Sequence, residues 1–154
     1  MSIYNTPLEE RFGEKLEELR EGKNMTREQL AEQVGLTARH IAALERGERR
    51  PTLNTMEKLL RTQFPDLASK YVRQFALLFL DLQKKCDSAE ISTKALDLRG
   101  MLDALRLIRR GIPAGAALDM GITNKAFDSY EQGLIRDVIA ARIPAKLDAG
   151  KLFA

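Results

Sequence analysis

The sequence predicts an all-α protein built from two successive groups of helices. Every strong apolar periodicity in its 154 residues has the spacing of an amphipathic helix. No run of β-branched residues alternates with polar ones, as it would in a half-buried strand. Glycines and N-cap residues divide the periodic segments into helices, several of which are only two turns long.

Four helices are predicted in the first half of the chain. Thr26 and Gln29 have the spacing of a capping box, which marks the start of a helix. Glycines follow the last apolar residues of the first three helices, as expected at C-termini. In order, the first three helices run from about Leu8 to Glu21, from the cap Thr26 to Gly35 and from the cap Thr37 to Gly47, and Pro51 and Thr52 start the fourth.

A boundary between two domains, residues 1–64 and 65–154, is predicted near Thr62–Asp66. The segment FPD breaks the helical pattern there, and the charge balance changes. Residues 1–64 have 11 Lys and Arg against 11 Glu, whereas residues 65–154 have 14 against 11 acidic residues. In the second domain, helices are expected at about Leu67 to Cys86, from Ser92 or Thr93 to Arg110, from Pro113 to Gly121, and from a capping box at Asp128 and Glu131 to just before Pro144.

Composition narrows the possible functions. With 44% hydrophobic and 31% charged residues, the chain has the composition of a soluble globular protein. Its longest apolar run, residues 75–80, is too short to span a bilayer, and residues 1–10 lack the pattern of a signal peptide. We therefore expect a cytoplasmic protein that does not contact membranes. Cys86 and His40 are the only residues of their types, so no metal, cofactor or catalytic site is expected, and the chain is not predicted to be an enzyme.

The second and third predicted helices have the spacing of a helix-turn-helix. Each is too short to be stable alone, so the two must pack crosswise on each other. Ala31 supplies the small residue needed where the helices approach, and Gly35 suits a left-handed turn. The apolar residues expected to point inward are Leu30, Val34, Leu36, Ile41 and Leu44.

The chain resembles the Cro/C1-type repressors, also called the XRE family, in the segment LREGKNMTREQLAEQVGLTARHIAALERGERRPTLNTMEKLL. The likeness extends over residues 8–62. It implies a lambda-repressor-like fold and a transcriptional regulator that binds double-stranded DNA sequence-selectively, as a homodimer. A domain of this fold that serves only as a protein contact is the alternative.

The resemblance also implies roles for individual side chains. The third helix would enter the major groove with its N-terminal part. Of the residues facing the bases, only Arg39 could make a bidentate contact to guanine, so sequence specificity is expected to be modest. Thr37, Ala38, Arg39, Ala42 and Ala43 are expected to face the bases, and Arg27, His40, Arg46, Arg49 and Arg50 to contact phosphates. For His40, a solvated polar residue is the equal alternative.

In the same family, an arginine late in the first helix pairs with the glutamate of the segment LERG. Here these residues are Arg20 and Glu45, which would form a structural ion pair. Removing one partner of a buried pair should destabilise the fold by about 3 kcal/mol. The alternative is two surface charges with almost no coupling.

Residues 65–144 resemble the helical lid at the C-terminus of MoxR-type AAA+ ATPases. In that family a basic residue after the segment IST senses the nucleotide, and here Lys94 has that position. Without a phosphate cradle in the chain, the favoured alternative for Lys94 is a surface residue. The chain has no G-x-x-x-x-G-K-[ST] motif, so ATPase activity does not follow. A plain dimerisation or effector bundle is the competing interpretation. The alternative function is an adaptor in which residues 65–144 dock a protein partner such as an AAA+ ATPase.

Overall fold

The computed structural model of the chain describes residues 7–153, and their regular structure is entirely helical, which confirms the predicted fold class. Nine α-helices and two short 3-10 helices follow one another along these residues. The α-helices are α1 (Leu8–Gly22), α2 (Arg27–Val34), α3 (Ala38–Glu45), α4 (Leu53–Gln63), α5 (Ser69–Asp87), α6 (Leu98–Arg109), α7 (Ala114–Gly121), α8 (Ser129–Arg142) and α9 (Ala149–Leu152). The 3-10 helices are Thr93–Ala95 and Thr123–Lys125.

Local capping interactions define the first half as the sequence predicts. Both hydrogen bonds of the capping box at Thr26 and Gln29 are present at the start of α2. Gly35 follows α2 with φ 78°, a conformation that an L-residue with a side chain rarely adopts. The Thr37 hydroxyl accepts from the backbone N–H of His40 and so begins α3. Helices α2 and α3 pack on each other, and α1 packs on α3.

The start of α6 differs from the prediction. The sequence predicts that Ser92 or Thr93 caps this helix, but Ser92 precedes only a single 3-10 turn, of which Thr93 is the first residue. The cap is Asp97, whose buried carboxylate accepts from the backbone N–H of Gly100 at 3.1 Å and is also bonded to the Lys125 ammonium. A charged acceptor with a second partner fixes the start of the helix there.

Only one of the two hydrogen bonds of the capping box predicted for α8 is present. Asp128 caps the helix by accepting from the N–H of Glu131. The Glu131 side chain does not return the bond to Asp128, because its carboxylate accepts from the backbone N–H of Ser92 at 2.7 Å. A tertiary partner thus replaces the local one.

The apolar core is continuous across the predicted domain boundary. The Phe12 ring in α1 meets the Phe79 ring in α5 edge to face, with centroids 5.8 Å apart. Helix α1 also packs on α6, and α4 packs on α5. At the junction itself Phe64 is only 2% exposed, and its ring contacts the ring of Phe153. Phe153 directly follows α9, a helix that was not predicted from the sequence. The division into two domains stays a prediction.

No helix within residues 7–153 combines the length and the apolar content needed to cross a bilayer. Across the same residues, His, Cys, Asp and Glu side chains do not gather in groups of three that could hold a metal ion.

Candidate nucleic-acid interface

Helix α3 has one buried face and one accessible face. Ile41, Leu44 and Glu45 are buried against the rest of the fold. Arg39 is exposed on the other side, and the small side chains of Ala42 and Ala43 are partly exposed beside it. The helix therefore presents one arginine flanked by short, smooth side chains.

The accessible face of α3 borders a concave surface that also includes the start of α2 and the segment after α3. We call it the recognition surface. Four arginines and two glutamates lie on it, which leaves it net positive. Its residues are Arg27, Glu28, Thr37, Ala38, Arg39, His40, Ala42, Ala43, Arg46, Glu48 and Arg49.

The recognition surface brings together nearly all of the side chains expected to contact DNA. All five residues expected to face the bases lie on it, together with Arg27, His40, Arg46 and Arg49 from the expected phosphate contacts. Glu28 and Glu48 also lie on this surface, although the sequence gave no reason to expect them there. Their negative charges limit the positive charge of the surface. The roles of the individual residues stay predictions.

Arg50 lies outside the recognition surface. Its two Nη atoms donate to both carboxylate oxygens of Asp87, at 2.8 and 2.7 Å, and its Nε is bonded to Glu9. Arg50 thus connects the segment before α4 with α1 and with the end of α5. These ion pairs could not be predicted from the residues next to Arg50, because Glu9 and Asp87 are 41 and 37 residues away in the sequence.

Glu45 is the centre of a buried group of charges beneath the recognition surface. Arg20 donates to it through Nε at 2.6 Å and through Nη2 at 3.1 Å, and Arg27 donates through Nε at 2.9 Å. Burial disfavours the charged form of Glu45, but the bonds from the two arginines outweigh it and hold the pKa of this carboxyl below its usual range. The pair of Arg20 with Glu45 agrees with the expectation from the sequence, whereas nothing in the sequence indicated the Arg27 bond.

His40 is partly buried on α3. The pKa of His40 is lowered from its ordinary value of 6.5, mainly by burial and also by the charges of Arg49 and Lys58. The imidazole is therefore neutral at pH 7 and above. A neutral His40 can hydrogen-bond to a phosphate but adds no positive charge to the recognition surface.

The second half contains exposed aromatic side chains near the position that resembles a nucleotide sensor. The Lys94 ammonium lies 3.8 Å from the centre of the Phe127 ring. Phe127 is 81% exposed and Tyr130 is 77% exposed. Cys86, on α5, is unsuited to nucleophilic chemistry, since burial and the nearby carboxylates of Asp87 and Glu131 raise the pKa of its thiol to about 12.

Comparison with known proteins supports the first half of this description. Residues 16–62 match the sequence model of a family described as helix-turn-helix. The match begins in α1, includes all of α2 and α3, and ends in α4. None of the curated proteins and none of the solved structures matches the chain.

Proposed function

We propose, from the premise that residues 16–62 are a helix-turn-helix DNA-binding domain of the Cro/C1 type, that this protein is a sequence-selective transcriptional regulator. The observation that supports the proposal most directly is the recognition surface. There the side chains of α3 expected to read bases are flanked by Arg27, Arg46 and Arg49, as required for simultaneous groove and backbone contact.

Base reading is assigned to the exposed face of α3. Arg39 reads guanine through a bidentate hydrogen bond, and Ala38, Ala42 and Ala43 contact thymine methyl groups. Three alanines offer no hydrogen bonds, so the selectivity is modest and depends partly on DNA shape. The chain binds as a homodimer whose two α3 helices lie ~34 Å apart on a pseudo-palindromic site.

The first experiment is a titration of the protein with random-sequence duplex DNA at several salt concentrations, followed by fluorescence anisotropy. The logarithm of the association constant should fall linearly with the logarithm of salt concentration. In the double variant Arg39→Ala/Arg46→Ala this slope should be shallower by about 0.9, because Arg46 is the one of the two residues assigned to a phosphate and about 0.9 is lost for each phosphate contact.

The matched control is Arg73→Ala/Arg99→Ala, which removes two positive charges from exposed positions on α5 and α6, outside the recognition surface. It should leave the slope unchanged. Equal loss in both double variants would mean that DNA is attracted by net charge alone and would contradict binding by α3. Selection from a randomised duplex library then measures sequence selectivity directly.

A second candidate function, an adaptor, is favoured by the exposed Phe127 and Tyr130, because large exposed aromatic side chains are typical of protein contacts. Residues 65–144 would then dock a partner such as an AAA+ ATPase. Copurification with an ATPase that persists in Arg39→Ala/Arg46→Ala and is lost in Phe127→Ser/Tyr130→Ser would support the adaptor. No DNA binding by the folded protein at low salt would leave it as the better proposal.

A further inference from the structure

Two arginines share the buried carboxylate of Glu45, but they differ in what remains of their hydrogen-bonding capacity. Arg20 donates through Nε and Nη2 to Glu45 and through Nη1 to the carbonyl of Met25, so all three of its nitrogens are engaged within the protein. Arg27 donates only through Nε among the residues that the structure describes. Both Nη groups of Arg27 are left for another acceptor.

The position of Arg27 indicates what that acceptor is. Its side chain is 34% exposed, and it lies on the recognition surface with Arg39 and Arg46. Glu45 has no exposed side-chain area, so its negative charge lies behind the two guanidinium groups. An anion at the recognition surface can therefore reach the exposed part of Arg27 but not the Glu45 carboxylate.

We propose that Glu45 is a positioning residue of the DNA interface: its carboxylate holds Arg27 by Nε and so presents the Nη groups to a DNA phosphate. The proposal rests on the proposed DNA-binding function and adds to it. A free arginine loses much rotamer freedom when it binds a phosphate, whereas an arginine already held in the folded protein loses less. The same carboxylate thus holds Arg20 within the fold and positions Arg27 for the ligand.

The direction in which Glu45→Gln changes DNA affinity separates this role from a purely electrostatic effect of the carboxylate. Glu45→Gln removes a negative charge close to the DNA, so electrostatics alone would strengthen binding. If Glu45 positions Arg27, the same change weakens binding. Arg27→Ala, which deletes one phosphate contact, should weaken binding about fivefold at 0.15 M salt and lower the salt slope by about 0.9.

The experiment is a double-mutant cycle on random-sequence duplex DNA with wild type, Glu45→Gln, Arg27→Ala and the double variant, each shown to be folded by circular dichroism. We expect Glu45→Gln to weaken binding toward the level of Arg27→Ala, and the double variant to bind no more weakly than Arg27→Ala alone. Unchanged or tighter binding by Glu45→Gln would overturn the proposal. So would independent, additive effects of the two changes, or an Arg27→Ala variant that binds like wild type.

Arg20→Gln is the control for lost stability. This change removes the hydrogen bonds from the Arg20 guanidinium to Glu45 and leaves the bond from Arg27 to Glu45. The folded variant should therefore bind DNA like wild type. Weaker binding by Arg20→Gln equal to that of Glu45→Gln would overturn the proposal, because any loss at this carboxylate would then act through the fold. If wild type itself fails to bind DNA, the proposed function fails together with the inference.

If Glu45→Gln does not fold, Arg27→Lys replaces it in the cycle. Lysine keeps the positive charge, but its single ammonium group cannot bond Glu45 through one nitrogen and leave separate nitrogens for a phosphate, as the guanidinium of arginine can. We expect binding several-fold weaker than wild type with a similar salt slope. Wild-type affinity in Arg27→Lys would show that charge alone is needed and would overturn the proposal.

Discussion

The carboxylate of Glu45 accepts hydrogen bonds from arginines that begin in two different helices. Arg20 is in the last turn of α1, and Arg27 is the first residue of α2. Glu45 itself ends α3, so one side chain connects three helices. A buried carboxylate with two cationic partners contributes to stability only while it is ionised, because protonation removes the charge that both arginines bind.

The stability of the fold should depend on pH through Glu45. Its pKa is lower in the folded than in the unfolded protein, so its contribution is present above the usual glutamate value of about 4.3 and is lost as the pH falls through the folded value. Glu45→Gln should lower the free energy of unfolding by about 3 kcal/mol at pH 7, and the difference from wild type should shrink below about pH 4. Urea titrations at pH 7 and pH 3 measure both effects.

Glu48→Gln is the matched control for this prediction, since Glu48 is exposed and lies three residues further along the chain. It should change the free energy of unfolding by less than about 0.5 kcal/mol at either pH. A Glu45→Gln penalty that stays constant between pH 7 and pH 3 would contradict the assignment of the pH dependence to this carboxylate.

His40 offers a second prediction for a single residue. Because its pKa is lowered, the imidazole is neutral at pH 7.5 and replaces no counterion on DNA. His40→Gln should therefore leave the salt slope of DNA binding unchanged at pH 7.5, whereas Arg46→Ala lowers it by about 0.9. A fall of the same size in His40→Gln would show that the imidazole is charged in the complex.

At the scale of helices, the orientation of α3 depends on its close approach to α1. A Cβ atom added to Gly13 would lie 2.4 Å from the carbonyl oxygen of Leu44 and 2.6 Å from that of Glu45, closer than atoms can pack. The missing side chain of Gly13 therefore lets the backbone of α3 approach α1. This contact sets the angle at which α3 presents Arg39.

Gly13→Ala should push α3 away from α1 and destabilise the fold by about 2 kcal/mol. Gly22→Ala, at the end of the same helix, adds a Cβ with nothing within 4 Å and should be neutral or slightly stabilising. Thermal unfolding followed by circular dichroism compares the two variants. Equal midpoints for both would contradict the close approach of α1 and α3.

At the scale of the whole molecule, the helix-turn-helix half and the second half share buried side chains. The ring contact of Phe12 with Phe79 and the bonds of Arg50 to Asp87 cross between the halves. A continuous core usually unfolds in one cooperative transition. Two independent domains would instead unfold separately.

Phe79→Ala tests whether the halves are coupled. The change removes a fully buried ring from α5 and should cost about 3–5 kcal/mol. With one core, amide hydrogen exchange should accelerate in α3 as well as in α6 under conditions of global opening. Faster exchange confined to α5 and the helices after it would support the predicted division at residues 64 and 65.

The helical fold class, the caps at Thr26, Thr37 and Asp128, and the short helices around the Gly35 turn are predicted correctly from the sequence alone. Each of these depends on hydrogen bonds and periodicities within a few residues, so the pattern is visible in the chain. The second partner of Glu45, the partners of Arg50, the bond of Lys125 to Asp97 and the burial of the junction at Phe64 depend on the tertiary structure. Those features join residues 18 to 41 positions apart or bring the C-terminal segment back to the junction, and such contacts depend on how the helices pack.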